Sequence, residues 1–371
     1  MLSSTSQRSF YVGNGPMMFR RDGMEVVHPL NDGLIEDWDA WESVVSHALV
    51  DRLGASLAEH PLLLSEPSFA PASQREKVTQ ILFEKFNVPA LFLSKEPVLT
   101  CFANARSTGL VVDCGGAMTV CTPVYDGFAL GRGVVRSPLG GDKITEELMR
   151  RVEQKTGKLV CPAYSVKKIY SAEGSFQTQH LEHPGTTDSY RRWATGLVAD
   201  DLKHSVCRVF DTLFDADANA NIPCVQFELP DGQILDVGPE RFVAPDILFD
   251  PSISILSSGF GSEPPVGVHR MIHNSIAACE ADTCRELYSN IIITGGCSLL
   301  QGFTDRVNKE LVDSGPSSKI KIIATNYVVE RKFSVWLGGS ILASLGAFHQ
   351  MWMSQHEYKE YGASLVDRKC P

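Results

Sequence analysis

No long basic run occurs in this sequence, and 34 lysines and arginines stand against 44 aspartates and glutamates, a formal net charge of −10. That excludes an autonomous nucleic-acid binder, which needs a phosphate-neutralising surface. Long apolar runs are missing as well. The opening stretch MLSSTSQRSFYVGNGPMMFRR has no apolar signal core, and nothing approaches the roughly 20 residues of a membrane span. The ten cysteines form no repeated CxxC, and the closest pairs are Cys279/Cys284 and Cys114/Cys121. Neither a zinc site nor a disulfide framework follows from such spacing. Buried free thiols in an intracellular, reducing compartment are expected instead. What remains is a chain of 371 residues, 43% hydrophobic and 21% charged, long enough to divide into two lobes with a large core.

Strand and helix signals alternate along it, which points to α/β layers. The first thirty residues read as a loose, turn-rich stretch with short β-like pieces. DWDAWESVVSHALVDRLG has helical periodicity, with Trp41, Val44, Val45 and Leu49 on one face and Gly54 as the stop. HPLLLSEPSF reads as a buried strand and turn. SQREKVTQILFEKFN opens with Ser73 and Glu76 in capping-box spacing. The strand ALFLSKE follows, then a helix, PVLTCFANAR, with proline in its first turn. DKITEELMRRVEQKTG is helical, residues 165–193 are polar and read as an exposed insertion, and a further helix covers roughly 195–210. CVQFELPDGQILDVG is a hairpin signal around Asp231-Gly232. The last third alternates again through CRELYSN, IIITGG, GFTDRVNKELVDSG, KIKIIAT and the very apolar helix SVWLGGSILASLGAF.

One internal echo bears on function. An apolar strand runs into paired glycines at LVVDCGG and again at IIITGG. Glycines at a strand end let backbone approach phosphate or adenosine closely, because no Cβ intervenes. By themselves such turns are as compatible with plain strand–helix packing as with a nucleotide.

Four long collinear segments carry a resemblance to actin over almost the full length: HPLLLSEPSFAPASQREKVTQILFEKFNVPALFL, GLVVDCGGAMTVCTPVYDGFAL, FELPDGQILDVGPERFVAPDILFDPS and ERKFSVWLGGSILASLGAFHQMWMSQHEYKEYGASLVDRKCP. Within the family, GLIEDWDAWESV, FANARSTGLVVD and the proline after RKC look like the nuclear actin-related proteins, in particular the actin-related protein four subfamily. The resemblance implies an α/β, ribonuclease-H-like fold of two domains about a nucleotide cleft. Residues 1–103 and 334–371 would form a partial first domain, with only a remnant of its second subdomain. Residues 104–139 and 258–333 would form the third subdomain, and 140–257 the fourth with its polar insertion 165–193. It further implies that the first strands and the first phosphate loop are missing from this chain.

At the cleft the resemblance gives Asp113 to the water shell of a Mg²⁺ ion rather than to the metal directly, and turns the Gly115 amide toward phosphate. Gly141 would lie beside the nucleotide, Lys203 near the adenosine, Gly295 and Gly296 on the adenosine side and Lys332 near the base. Bound ATP or ADP with Mg²⁺ is the implied cofactor. The hydrolytic partners differ: Gly116 replaces an aspartate, Val120 the histidine that helps polarise water, and Glu96 the water-positioning glutamine. Glu96, if ionised, would repel a γ-phosphate. His204 and Leu300 also replace nucleotide contacts. No catalytic residue is therefore expected, and residual nucleotide binding stays open.

With the chemistry reduced, a surface is expected to carry the function. Phe102, Leu342, Leu345 and Met351 match the rim of the family's apolar partner groove, with Leu342, Leu345 and Phe348 spaced along one helical face. The resemblance implies a nuclear scaffold subunit of a chromatin-remodelling or histone-acetyltransferase complex. Its partners would be actin and the helicase-SANT-associated helix of the motor subunit, with nucleosomes or histones reached indirectly. Membrane attachment and homopolymerisation are not expected. An actin-like ATPase that cycles nucleotide and a cytoskeletal or dynein-activator actin-related protein remain the alternatives.

Overall fold

Two short parallel pairings seed the two lobes. The computed structural model describes residues 8–157, 159–170, 176–215, 217–219, 221–254, 265–315 and 319–371. In the first lobe Leu62–Glu66 pairs in parallel with Ala90–Lys95, and Met353–Ser354 adds antiparallel on the other side. The crossover is the helix Ala72–Glu84, which buries Val78, Ile81, Leu82 and Phe83. Its N-cap is Pro71 and no side chain caps it, so the Ser73/Glu76 capping box expected from the sequence is not formed. The amides of Gln74 and Arg75 bond to the Pro71 carbonyl instead, which places Ser73 already inside the first turn. A capping box does form later, between Ser354 and Glu357.

The second lobe holds a six-stranded sheet in the order Ile322–Ile323, Ile291–Thr294, Gly109–Cys114, Thr119–Tyr125, Phe128–Ala129, with Val135–Ser137 also on Thr119–Tyr125. The first three strands are parallel and mostly apolar, as strands covered on both faces tend to be. Their register sets Ile292 against Val111 and Thr294 against Asp113. The two strand-to-glycine ends therefore emerge side by side.

The helix Glu96–Ala103 packs into both lobes. Leu99 belongs to the core of the first lobe, with Leu82, Leu91, Leu342 and Phe348. Val98 and Cys101 face the other way and pack with Val111, Val124 and Ile292 of the large sheet. A continuous core of the second lobe gathers Leu110, Ile144, Leu202, Met271, Ile293 and Phe303, so the regions read as third and fourth subdomains share it. The helix Ser334–Ala343 lies directly on Glu96–Ala103. A Cβ added at Gly338 would sit 1.8 Å from the Leu99 carbonyl oxygen, whereas one at Gly339 would meet the Leu63 side chain at 3.4 Å.

Several local expectations are corrected. Trp38–Ser46 is α-helical but His47–Arg52 winds as a π-helix, and Val44 is exposed while Trp41 and Val45 are buried. Residues 165–193 hold a hairpin, Val166–Tyr170 with Phe176–His180, and the helix expected from about 195 begins earlier, Asp188–Val206. Residues 171–175 lie outside the described residues. KIKIIAT contributes only Ile322–Ile323 as strand. All ten cysteines are free, and Cys224 is exposed rather than buried. No helix among the described residues is long and apolar enough to cross a membrane.

Gly338→Ala is expected to lower stability by at least about 2 kcal/mol, since backbone must move. Gly339→Ala should stay within about 1 kcal/mol of the parent, because its methyl meets an ordinary contact and gains helix propensity. Urea denaturation of both variants side by side checks the pair.

Candidate functional site

The glycine turns interlock. Gly295 has φ +89°, and a Cβ there would meet the Asp113 carboxylate and the Cys114 carbonyl oxygen, both at 2.4 Å. Only glycine permits this approach. Gly140 is equally constrained: its Cβ would fall 2.4 Å from the Gly116 carbonyl oxygen. Gly141 donates its amide to the Gly115 carbonyl at 3.0 Å, and Asp142 donates to Gly116 at 2.9 Å. Two of the orphan amides at the start of the helix Gly141–Thr156 are thus satisfied by the neighbouring loop. The Gly115 amide, expected to face phosphate, donates to the Met118 carbonyl at 2.9 Å instead. Among the described residues the amides of Gly116 and Ala117 have no hydrogen-bond partner, and both residues are exposed. They are the donors this loop still offers to an anion.

The other expected nucleotide residues fall into two groups. Lys203, near the end of the Asp188–Val206 helix, is buried; its ammonium donates to the Gly141 carbonyl at 3.2 Å and contacts the Asp200 carboxylate. Asp113, Gly115, Gly141, Lys203 and Gly295 therefore meet in one cluster. Gly296 opens the following turn with nothing near its Cβ direction, and Lys332 is exposed, its ammonium 5.8 Å from the Phe333 ring centre. What joins that region to the cluster is Arg331, which the sequence did not single out. Its carbonyl accepts from Thr294 Oγ1 at 2.6 Å and from the Gly295 amide at 3.3 Å, while its guanidinium bonds to the Ser298 and Thr325 carbonyls. Cys297 was missed too, and its thiol donates to the Gly115 carbonyl at 3.0 Å. Neither residue carries a motif; both are placed by tertiary packing alone.

Below the loops a cavity of about 30 Å³, room for a water or two, is lined by Ser68, Glu96, Thr100, Asp113, Val120 and Thr122. Both residues keep some solvent-accessible area, yet their carboxylates are deeply embedded. Burial raises Asp113 to about 6, and burial with the charges of Asp113 and Glu66 raises Glu96 to about 7. Glu66 itself is held by Arg75 at 2.8 Å and Lys95 at 2.7 Å, so those cations are already engaged. An incoming phosphate would push Glu96 further toward its neutral acid, which cannot take a proton from water. Val120 at the same wall offers no proton acceptor at all.

The groove residues separate. The helix ends at Ala343, so Leu342, Leu345 and Phe348 do not share one helical face. Leu342 and Phe348 are 8% and 2% exposed and belong to the first-lobe core, correcting Leu342 as a rim residue. Leu345 and Met351 are 44% and 43% exposed, and Phe102 is half-buried between the two cores. A surface role is open to Leu345 and Met351.

A raised carboxyl means the folded state holds a proton that the unfolded chain has lost. Stability contributed by protonated Glu96 is thus lost as pH rises from about 4.5 to about 7. Glu96→Gln should flatten that decline and add about 1–3 kcal/mol at pH 7.5. Urea midpoints across pH 5–8 measure it; parallel profiles for the two proteins would show that Glu96 titrates in the ordinary range.

Comparison with known proteins places this geometry. The actin family model matches residues 2–371. The chain is 46% identical over 370 residues to actin-related protein 4 of Arabidopsis thaliana, covering 98% of this chain and 84% of that protein. It is likewise 46% identical over 371 residues to the actin-related protein 4 sequences of Oryza sativa subsp. indica and subsp. japonica, covering 99% of this chain and 83% of theirs. A family match along essentially the whole chain, on two α/β lobes joined at a glycine-lined cleft, leaves one conclusion: the chain belongs to the actin family.

Proposed function

We propose that this chain is a non-catalytic actin-family scaffold subunit of a nuclear chromatin-remodelling or histone-acetyltransferase assembly. It docks beside actin on the helicase-SANT-associated helix of a motor subunit, and it reaches nucleosomes through that assembly. The observation that carries this reading is the similarity, across nearly all of the chain, to proteins named actin-related protein 4. Two features of the site support it. The water-sized cavity has Val120 on its wall and a carboxyl, Glu96, that anions drive to its neutral form. Leu345 and Met351 leave apolar side chains in solvent next to the buried Leu342 and Phe348, a setting that suits an amphipathic partner helix.

Nucleotide is held rather than turned over in this reading. The free Gly116 and Ala117 amides fit a phosphate oxygen, and Asp113 is placed to accept from the water shell of a Mg²⁺ ion. Such an ion would supply charge neutralisation. The chain's own part is to bind and orient, with the Asp142 carboxylate close to Gly116 weakening the grip for a bare anion. A slow actin-like ATPase is the second reading. What favours it is Glu96 itself, because a carboxyl near 7 beside a water-sized cavity is in the range of a general base.

Affinity capture of the tagged chain from nuclear extract, followed by mass spectrometry, should recover actin together with a remodeller ATPase. Leu345→Glu combined with Met351→Glu should weaken that recovery by at least about tenfold while the chain stays folded. Recovery of neither actin nor a remodeller ATPase by the parent chain would end the scaffold reading.

A further inference from the structure

Of the ten cysteines only Cys224 is exposed. It leads into the strand Val225–Glu228, which pairs antiparallel with Ile234–Val237, so that Gly238 lies opposite it. A Cβ added at Gly238 would stand 3.2 Å from Cys224 Sγ and 3.5 Å from Lys155 Nζ. Thiol and ammonium therefore flank one point on the surface. Lys155 comes from the last turn of the helix Gly141–Thr156 and pairs with Glu240 at 3.0 Å, and Glu240 also accepts from the Gly238 amide.

Two arginines stand beside this point without a counter-charge. Arg241 is 9% exposed, its Nη2 donates to the carbonyl of Pro223 at 3.3 Å, and its Nε has no partner. Pro223 immediately precedes Cys224, so the guanidinium is turned toward the thiol's own loop. Other buried arginines are satisfied. Arg75 holds Glu66 and Asp367, Arg306 holds Asp246 and Glu310, and Arg331 bonds to the Ser298 and Thr325 carbonyls. The amide of Arg208 donates to the Arg241 carbonyl at 3.1 Å, and the Arg208 side chain is exposed. Neither Arg208 nor Arg241 pairs with a carboxylate among the described residues. Burial, then the charge of Arg208, holds the Arg241 guanidinium below its usual range, while Cys224 and Cys207 act the other way. Leaving a buried cation unpaired is costly, and an anion supplied from outside removes that cost. In a chain with a net charge of −10, adjacent arginines without a carboxylate are the reverse of what composition alone would place there.

We propose that Cys224 is a modification site for an anionic disulfide of the glutathione type, whose carboxylates are received by Arg241 and Arg208. The step is thiol–disulfide exchange. Cys224 gives its proton to solvent, and the thiolate, favoured by the cations around it, attacks one sulfur of the incoming disulfide. A bond forms from Cys224 Sγ to that sulfur as the reagent's own S–S bond breaks. The other half leaves as a thiolate and takes a proton from solvent. Cys224 is oxidised and the leaving half reduced, so no further oxidant is needed. Excess free thiol reverses the exchange and releases the adduct.

The test uses the full chain without nucleotide and reads neither partner capture nor phosphate release, so it stands apart from the proposed function. Glutathione disulfide, the cationic cystamine and the uncharged hydroxyethyl disulfide are each reacted with the protein at low ionic strength, and adducts are mapped by mass spectrometry. Each rate is divided by that reagent's rate with N-acetylcysteine amide, which removes differences in intrinsic reactivity. Cys224 should be modified first, and its normalised rate with glutathione disulfide should exceed that with cystamine by about tenfold or more. Salt at about 1 M should bring the two within about threefold, since charges are then screened beyond ~3 Å. Arg208→Ala and Lys155→Ala, both at exposed positions, should each lower the preference by about twofold or more, and Glu240→Gln should raise it. Modification of Cys161, Cys279 or Cys284 ahead of Cys224 overturns the inference. So does a Cys224 that reacts no faster with the anionic reagent than with the other two, or a preference that salt and both cation variants leave unchanged.

Discussion

The backbone contact between Gly338 and Leu99 fixes almost everything else in this molecule. It lets two helices lie closer than side chains would allow, and one of them, Glu96–Ala103, is common property of both lobes. A shared helix of this kind sets the relative position of the two sheets without a large interface. Hydroxyl groups complete the joint: Ser334 Oγ lies 2.7 Å from Thr294 Oγ1 and 3.3 Å from Thr100 Oγ1. Thr294 ends the strand that leads into Gly295, so the joint also decides where the glycine turn points. Glu96 begins the shared helix and Asp113 ends the adjacent strand. Their common cavity is a by-product of the same packing.

Within the cleft, the glycine turns spend much of their hydrogen-bonding capacity on each other. The helix amides of Gly141 and Asp142, and the loop amide of Gly115, are bonded inside the protein. Donors in such a state cannot also grip phosphate unless the loops rearrange. Two amides, at Gly116 and Ala117, are left over. The electrostatics point the same way, because three carboxylates, Glu66, Glu96 and Asp113, converge while Arg75 and Lys95 are committed to Glu66. In the proposed function such a cleft holds a metal–nucleotide pair, whose net charge is spread, and does not deprotonate water.

Much of the architecture was legible in the sequence because it rests on periodicity and punctuation. The uniformly apolar runs LVV and III, each stopped by glycines, gave two parallel strands whose ends meet. Proline at the start of PVLTCFANAR marked the shared helix. The failures are equally physical. Ser73 and Glu76 had the spacing of a cap, but Pro71 starts the helix earlier and the carbonyl there takes the amides first. Leu342, Leu345 and Phe348 had helical spacing, yet the helix stops at Ala343 and leaves Leu345 extended. The roles of Arg331 and Cys297 were invisible because each depends on partners distant in the chain, Thr294 and Ser298 for Arg331 and Gly115 for Cys297. The contacts of Met24 and Val26 with Thr187 and Ser189 were hidden for the same reason, joining residues more than 160 positions apart.

The claim on which the functional reading rests is that this cleft binds without activating water. Single-turnover phosphate release measures it most directly, with protein in excess over γ-labelled Mg·ATP and denatured protein as the control. The expected result is nucleotide retained with its γ-phosphate intact, release following the control. A burst of phosphate stoichiometric with bound nucleotide, abolished by Glu96→Gln, would contradict it and make Glu96 a base.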